Sequence, residues 1–567
     1  MPETYEFIVV GAGAAGAVLA AHLAHSKKAP SVLLIEAGGK NDSKANRVDA
    51  ERWLHRMIPA QNWGYKTVPI KGFDGSVIEY DRGKGLGGST SINFSVWTIG
   101  PRDDHDEIAH LVGDDEWAWE NAKQRYKRLE SYHASSPDIP DDCKKYLDPK
   151  PEDHGFNGPI HVGFPRIWER TFHSLMELWL AHGTEPNLDH NSGDPIGLSI
   201  CASTAYKGVR STSADALIGA PSNLEILVDT EVCRVLFDGS KAVGVETFDG
   251  RKFYASKEII LSAGAQDTPR ILMHSGIGPA DQLGSFNIPV VKANSNVGQH
   301  MKDHHHVMLS FERADHTTDR HRFYKSKELQ ADARAQWERD GTGPLSEYGC
   351  ALGLAYLKLD GIYATEEFQK LPESQKQFLQ KPTIPHYEVL LNVAHTPYFL
   401  DPENAAAGTT VFLFLLNQQS TGTVTLRSSD PKVPLVFDPN YFSHPFDRRL
   451  AVELTREVCK VFKNPKFTEH TTAHLLTPKS ESEEDIIDFW KRNSSSTWHM
   501  MGTARMGRDE KDSVVDRDFK VFGVEKLRVA DMSVIPIVAN NHIQSTAYLT
   551  GLTAADKLVA EYRLDVL

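Results

Sequence analysis

Residues 7–10, Phe-Ile-Val-Val, form a short apolar run of strand type, and Gly11, Gly13 and Gly16 follow at once in the spacing G-x-G-x-x-G. An Ala/Leu-rich helical stretch from Ala14 to Ala24 comes next, and Ser31–Ile35 gives a second apolar strand ending at Glu36. Each part of this strand–turn–helix–strand–acid unit has a mechanical reason. Gly11 allows the tight turn, Gly13 lets the backbone approach a pyrophosphate, and Gly16 lets helix and strand pack closely. The helix N-terminus, at Ala14 and Ala15, presents unpaired N–H groups and a positive dipole end to phosphates. Glu36, followed by Ala37, lies where a carboxylate can accept bonds from a ribose hydroxyl pair. The unit predicts a bound dinucleotide and leaves NAD and FAD both open.

A chain of 567 residues, 40% of them hydrophobic, is too long for one simple domain and predicts two or three packed lobes. The net charge of −14 argues against a nucleic-acid binder or a surface that seeks anionic lipid. No apolar run approaches the ~20 residues that span a bilayer. The first strand begins by Phe7, which leaves no room for a secretory signal, and the terminal Asp-Val-Leu is not a peroxisomal address. The cysteines are five, scattered, and without a C-x-x-C pair. That pattern fits a reducing setting and predicts a cytoplasmic protein.

Along the chain, residues 61–70 read as extended, 117–133 as a surface helix and 134–160 as loop. A strand-rich block covers 224–262, with hairpin turns at Asp238-Gly239 and Asp249-Gly250. Residues 264–279 read as a turn, a short helix and a Gly/Pro stop. The charged stretch 325–375 reads as loops and surface helices. Strands are predicted at 386–393, 409–417 and 422–428, together forming an antiparallel sheet, with an amphipathic helix at 446–463. The tail returns to α/β character, with a strand and turn at 526–536 and a long helix at 544–562. The nucleotide-type pattern thus appears at both ends and in the middle, which implies discontinuous domains.

Four segments in order resemble the glucose–methanol–choline (GMC) family of flavin oxidoreductases, and most closely its fungal branch of aryl-alcohol-oxidase-like and formate-oxidase-like enzymes. They are the N-terminal unit, the run Arg82 to Asn93 (RGKGLGGSTSIN), the run Gly264 to Pro279 (GAQDTPRILMHSGIGP), and the pair Trp498-His499 with Asn541-His542-Ile543-Gln544. The resemblance implies an α/β fold, a Rossmann-type FAD-binding domain with an antiparallel-sheet-plus-helices substrate domain. The boundaries expected are 1–160, 205–300 and 515–567 for FAD, and 161–204 and 301–514 for substrate. It implies FAD rather than NAD. Trp63, Arg82, Gly83, Gly87, Gly88, Asn93, Phe94, Ser95 and Val96 would bed the flavin. Val232 would face adenine, Asp531 the ribityl and phosphate region, and Ile543 and Gln544 the pyrimidine end of the ring. Some family members attach FAD through a histidine just before the asparagine of the first signature. Here that residue is Ile92, which has no nucleophile, so the FAD is expected to be non-covalent.

The resemblance makes His499 and His542 the catalytic pair. A neutral imidazole, with a pKa close to working pH, removes the hydroxyl proton of an alcohol whose carbon then gives up hydride. His499 is the expected base, and His542 is expected to bond the same oxygen. Formate oxidases resemble this chain but carry Arg at the second position, which suits a carboxylate; His542 favours a neutral alcohol. Trp498 and Phe94, with Tyr387 and Phe412, suggest an aromatic-walled pocket for a ring substrate. The expected reaction is oxidation of a primary alcohol, aromatic or furanic, with O2 or another electron acceptor reoxidising FAD. Hydroxynitrile lyase and flavin photoenzyme activities are the alternatives within the family. The run His304-His305-His306 reads as a solvated loop, and no metal site is expected.

Overall fold

The computed structural model describes residues 4–133, 143–165, 170–346, 348, 350–393 and 395–565. The expectation for 134–142 lies outside them. The first sheet starts from the dinucleotide unit: β1 (Thr4–Val10), helix α1 (Ala14–Ala24) and β2 (Val32–Ile35). The 224–262 block supplies β3 (Leu224–Leu227), β4 (Val232–Asp238), β5 (Lys241–Thr247) and β6 (Lys252–Leu261). The sheet order is β3-β2-β1-β6-β5-β4, and Leu527–Val529 also pairs with β6. Neighbours β3, β2, β1, β6 and Leu527–Val529 run parallel, whereas β4, β5 and the start of β6 form antiparallel hairpins. The parallel strands are continuous apolar runs because both faces are covered. Phe7, Ile8, Val9, Leu33, Leu34, Ile259 and Ile260 are all fully buried.

Two further helices close this lobe. Helix α2 (Trp119–Leu129) buries Trp119, Ala122, Tyr126 and Leu129 at helical spacing, so only its opposite face is the surface helix that its charges suggested. Helix α3 (Gly264–His274) follows β6, as its signature predicts.

The second sheet is antiparallel, from β7 (His305–Arg313), β8 (Gly353–Leu357), β9 (Tyr387–Val393), β10 (Gly408–Leu415), β11 (Thr471–Leu476) and β12 (Ser495–Ser496). Its order is β8-β9-β10-β7-β11, with β12 also on β7. One face packs against helix α4 (Pro445–Phe462) through Val307, Leu309, Val389, Leu391, Val411 and Leu413. The other face carries Leu390, Phe412 and Phe414. The last helix, α5 (Gln544–Glu561), packs on α1 and buries most of its length.

Three expectations need correction. Residues 423–425 do not join the large sheet; they pair with Val436–Asp438 as a separate hairpin, since only Val424 of the three is buried. The charged stretch 325–375 contains the buried strand β8, five residues whose apolar character is masked by their charged surroundings. The His304-His305-His306 run is not solvated: the three are 1%, 0% and 4% exposed, and two of them begin β7. Among the described residues no group of three or more His, Cys, Asp or Glu is arranged to hold a metal, and no helix is long and apolar enough to cross a membrane.

Candidate active site

One elongated cavity runs from the first glycine turn to the histidine pair. At its nucleotide end, α1 begins after Gly13, an N-cap with no side chain to cap it, and has no acidic residue in its first turn. Its leading N–H groups, at Ala14 and Ala15 on the cavity wall, are thus open to an anionic group. A Cβ on Gly88, whose φ is +49°, would lie 2.7 Å from the Gly13 Cα, so the two glycine segments lie back to back. Glu36 ties them together. Its Oε2 accepts from Ala12 N–H at 2.8 Å, and its Oε1 from Gly38 at 3.0 Å and Gly85 at 2.8 Å. Burial raises its pKa against those bonds. The acid therefore organises the loops as well as facing the cavity.

The walls continue through Ala37, Trp63, Arg82, Gly83, Asn93, Phe94, Ser95, Val96, Val232, Asp531, Ile543 and Gln544, all expected from the sequence. Asn93 donates to Gln544 Oε1 at 3.1 Å, and Gln544 donates to Val96 carbonyl at 2.5 Å, which fixes both amides. Asp531 accepts from Gly264 N–H at 2.9 Å and Ser533 N–H at 2.7 Å. Gly16 and Gly87 do not reach the cavity surface. A Cβ on Gly16 would stand 2.0 Å from Gly11 carbonyl oxygen, so its work is helix–strand contact, and Gly87 shapes its turn at φ +97°. This continuous bed, uncapped helix included, fits an extended dinucleotide such as FAD.

At the far end the His499 and His542 rings lie 5.1 Å apart, edge to face. His499 comes from a loop running beside residues 302–306. Thr497 N–H donates to His304 carbonyl at 3.0 Å, and Met501 and Lys302 exchange backbone bonds. Asp303 anchors this loop, accepting from His499 N–H and Ser496 Oγ at 2.7 Å each and from Tyr441 hydroxyl. Burial pushes the Asp303 carboxyl up to about 6. His499 Nδ1 meets His304 Nδ1 at 3.0 Å, so Nε2 is the nitrogen left for a ligand. Burial, with His542, His304, Arg82 and His306 nearby, holds His499 well below the usual imidazole pKa. It is therefore neutral at physiological pH, and burial takes its pKa lower than the value near working pH that the sequence led us to expect. His542 gives its Nε2 to Glu388 Oε1 at 2.7 Å, leaving Nδ1.

Trp498, beside the base, has φ +59°, and Ser95 in the bed has φ +60°. Both are left-handed backbone at non-glycine residues, a strain that packed surroundings must hold. Phe94 stands edge-on to Trp498 at 5.7 Å, Trp53 lies 4.3 Å from Phe94, and Phe412 and Phe414 cover the sheet side. Tyr387 is not in this wall. Its side chain belongs to the opposite face of β9, packed with Val389 and Leu391. Strand side chains alternate, so Glu388 and Leu390 face the site instead. Glu388, Trp53, His304 and His306 were not singled out from the sequence as site residues. For Glu388 a signal existed: one acid inside the apolar run Tyr387–Val393 demands a buried partner.

A family model described as GMC oxidoreductase matches residues 5–306, and a second with the same description matches 418–551. Dehydrogenase pkfF of Emericella nidulans is 30% identical, over 98% of this chain and 93% of its own length. A variant formate oxidase of Aspergillus oryzae RIB40 superposes with a TM-score of 0.89 at 26% identity, covering 99% of each chain. A fungal aryl-alcohol oxidase shares the fold, with a TM-score of 0.85 at 23% identity over 99% of this chain and 100% of that one.

Proposed function

The chain belongs to the GMC oxidoreductase family and is an FAD-dependent oxidoreductase, and on that premise we propose that it oxidises a primary alcohol, aromatic or furanic, to the aldehyde. Residues 1–160, 205–300 and 515–567 are assigned to FAD, and 161–204 and 301–514 to substrate. The observation that carries the reading is the imidazole pair, 5.1 Å ring to ring, at the aromatic end of the nucleotide cavity.

When bound, FAD supplies the hydride acceptor at its N5. The residues from Gly11 to Ala15, Glu36 and Ala37, and Arg82 to Val96 would hold it, without a covalent bond because Ile92 is no nucleophile. His499, neutral and with Nε2 free, takes the hydroxyl proton of the substrate. Glu388 fixes the His542 ring beside the same oxygen, 5.1 Å from the His499 ring. Phe94, Trp498 and Phe412 stack on the ring and exclude water. The Glu388 carboxylate behind His542 opposes an anionic substrate, which supports a neutral alcohol over formate. O2 or another electron acceptor completes the cycle.

The test is an anaerobic visible spectrum before and after a panel led by benzyl-type alcohols. Bleaching of the ~450 nm flavin band supports the reading, and readmitted air then sorts oxidase from dehydrogenase. A flavin that stays oxidised across the panel, with cyanohydrin cleavage present, would transfer the assignment to a lyase.

A further inference from the structure

His306 is a polar side chain in an aromatic wall. Its ring lies 4.7 Å from Phe412 at an interplanar angle of 18°, and 5.3 Å from Phe414 at 41°, so two rings fix its orientation. The register places it opposite Phe414, which in turn faces Glu388 across the sheet. His306, Phe414 and Glu388 therefore form one row of the sheet face beneath the cavity. His306 is 4% exposed and lines the cavity. Its Nδ1 is sealed from solvent without a hydrogen-bond partner. Its Nε2, also without a partner among the described residues, is left as the nitrogen open to the cavity.

A buried polar atom with no partner is costly, and a buried unpaired donor is rarer than an unpaired acceptor. The favoured tautomer leaves Nδ1 bare in its sealed position and puts the proton on Nε2. Burial, Arg56 and His542 lower the ring's pKa to about 3, so it stays neutral with a single N–H. Arg56 adds positive potential at the same wall, tempered by its own pair with Asp81 at 2.9 Å. A ligand atom meeting His306 must therefore accept a hydrogen bond.

We propose that His306 Nε2–H is a specificity element that binds a second, hydrogen-bond-accepting oxygen on the ring of the substrate alcohol. The inference rests on reading the aromatic cavity as an aryl-alcohol site. It narrows the substrate to primary aryl alcohols bearing a carbonyl, ether or phenol oxygen away from the carbinol. An analogue with carbon in that place leaves the N–H buried and unpaired, which should weaken binding about 10-fold.

The experiment compares pairs of near-equal shape on the holoenzyme. Stopped-flow reduction with 3- and 4-acetylbenzyl alcohol, against 3- and 4-isopropylbenzyl alcohol, separates Kd from the reduction rate constant. Binding alone is read from the oxidised flavin spectrum with the matching acetyl- and isopropyltoluenes, which cannot be oxidised. The expected result is a preference of about 10-fold in Kd for an acetyl compound, lost in His306→Phe, which keeps the stacking, and partly regained in His306→Asn. Equal Kd values within each wild-type pair, or an acetyl preference that survives in His306→Phe, would overturn it. Because the toluenes report binding without turnover, an enzyme that oxidises no alcohol defeats the proposed function while His306 is still judged.

Discussion

Glu388 Oε1 stands 2.7 Å from His542 Nε2, with both side chains largely buried on the sheet side of the cavity. The carboxylate decides which nitrogen of His542 carries a proton and which way the ring faces. A buried acid in an apolar strand is kept only where a partner satisfies it. Replacing it with Gln keeps the shape and removes the charge. Glu388→Gln should lower the flavin reduction rate by about 10- to 100-fold while changing substrate Kd little. Rapid-mixing reduction across substrate concentrations separates the two.

Phe412 and Tyr387 test which face of the second sheet meets substrate. Phe412→Ala should raise the Kd for an aryl alcohol about 10-fold or more, through lost stacking and apolar contact. Tyr387→Phe should leave both constants within about twofold, because its ring packs on the opposite face. A large kinetic effect of Tyr387→Phe with unchanged stability would contradict the register.

The cradle makes a prediction about cofactor retention. Gly88→Ala places a Cβ 2.7 Å from the Gly13 backbone at a positive φ. The variant should purify with much less flavin than wild type, read from the ratio of visible to ultraviolet absorbance. In wild type, acid precipitation should leave a colourless pellet and a yellow supernatant. Yellow colour held in the pellet would refute non-covalent binding.

His154 sits between Glu130 and Asp189, at 3.0 and 3.1 Å. Burial alone would lower its pKa, but hydrogen bonds to Asp189 and Glu130 outweigh burial and raise it to about 9. A raised folded-state pKa gives stability that is fully present below the unfolded value near 6.5 and lost as pH climbs through 9. Thermal unfolding should therefore show a loss of about 3 kcal/mol between pH 6 and pH 10 from this group. His154→Phe should remove that slope, whatever it does to the midpoint itself.

The dinucleotide unit was legible almost to the residue. Helix α1 spans Ala14–Ala24 as read, because its glycines, apolar periods and strand runs all specify the same local structure. The cavity residues of the first family signature were legible through the resemblance, whereas those of the second, among them Gly264, Asp267 and Arg270, were not singled out as site residues. Tyr387 was assigned to the wrong side although Glu388 and Asn392 mark the opposite face of Tyr387–Val393, because a strand buried on both faces does not show in its sequence which face meets the cavity. His304 and His306 were missed because a histidine run looks the same in water and in a core. His306 is buried by β7, through pairing with β10 and β12 from far along the chain, and His304 by the loop that carries Thr497 and His499.

The central claim is that His499 takes the substrate proton as hydride leaves. The decisive measurement is the anaerobic rate of flavin reduction by a benzyl-type alcohol in wild type and in His499→Ala, at saturating substrate and matched flavin content. The account predicts a loss of about 10²- to 10⁴-fold in the variant with its flavin spectrum intact. Reduction at near wild-type rate in His499→Ala would contradict it.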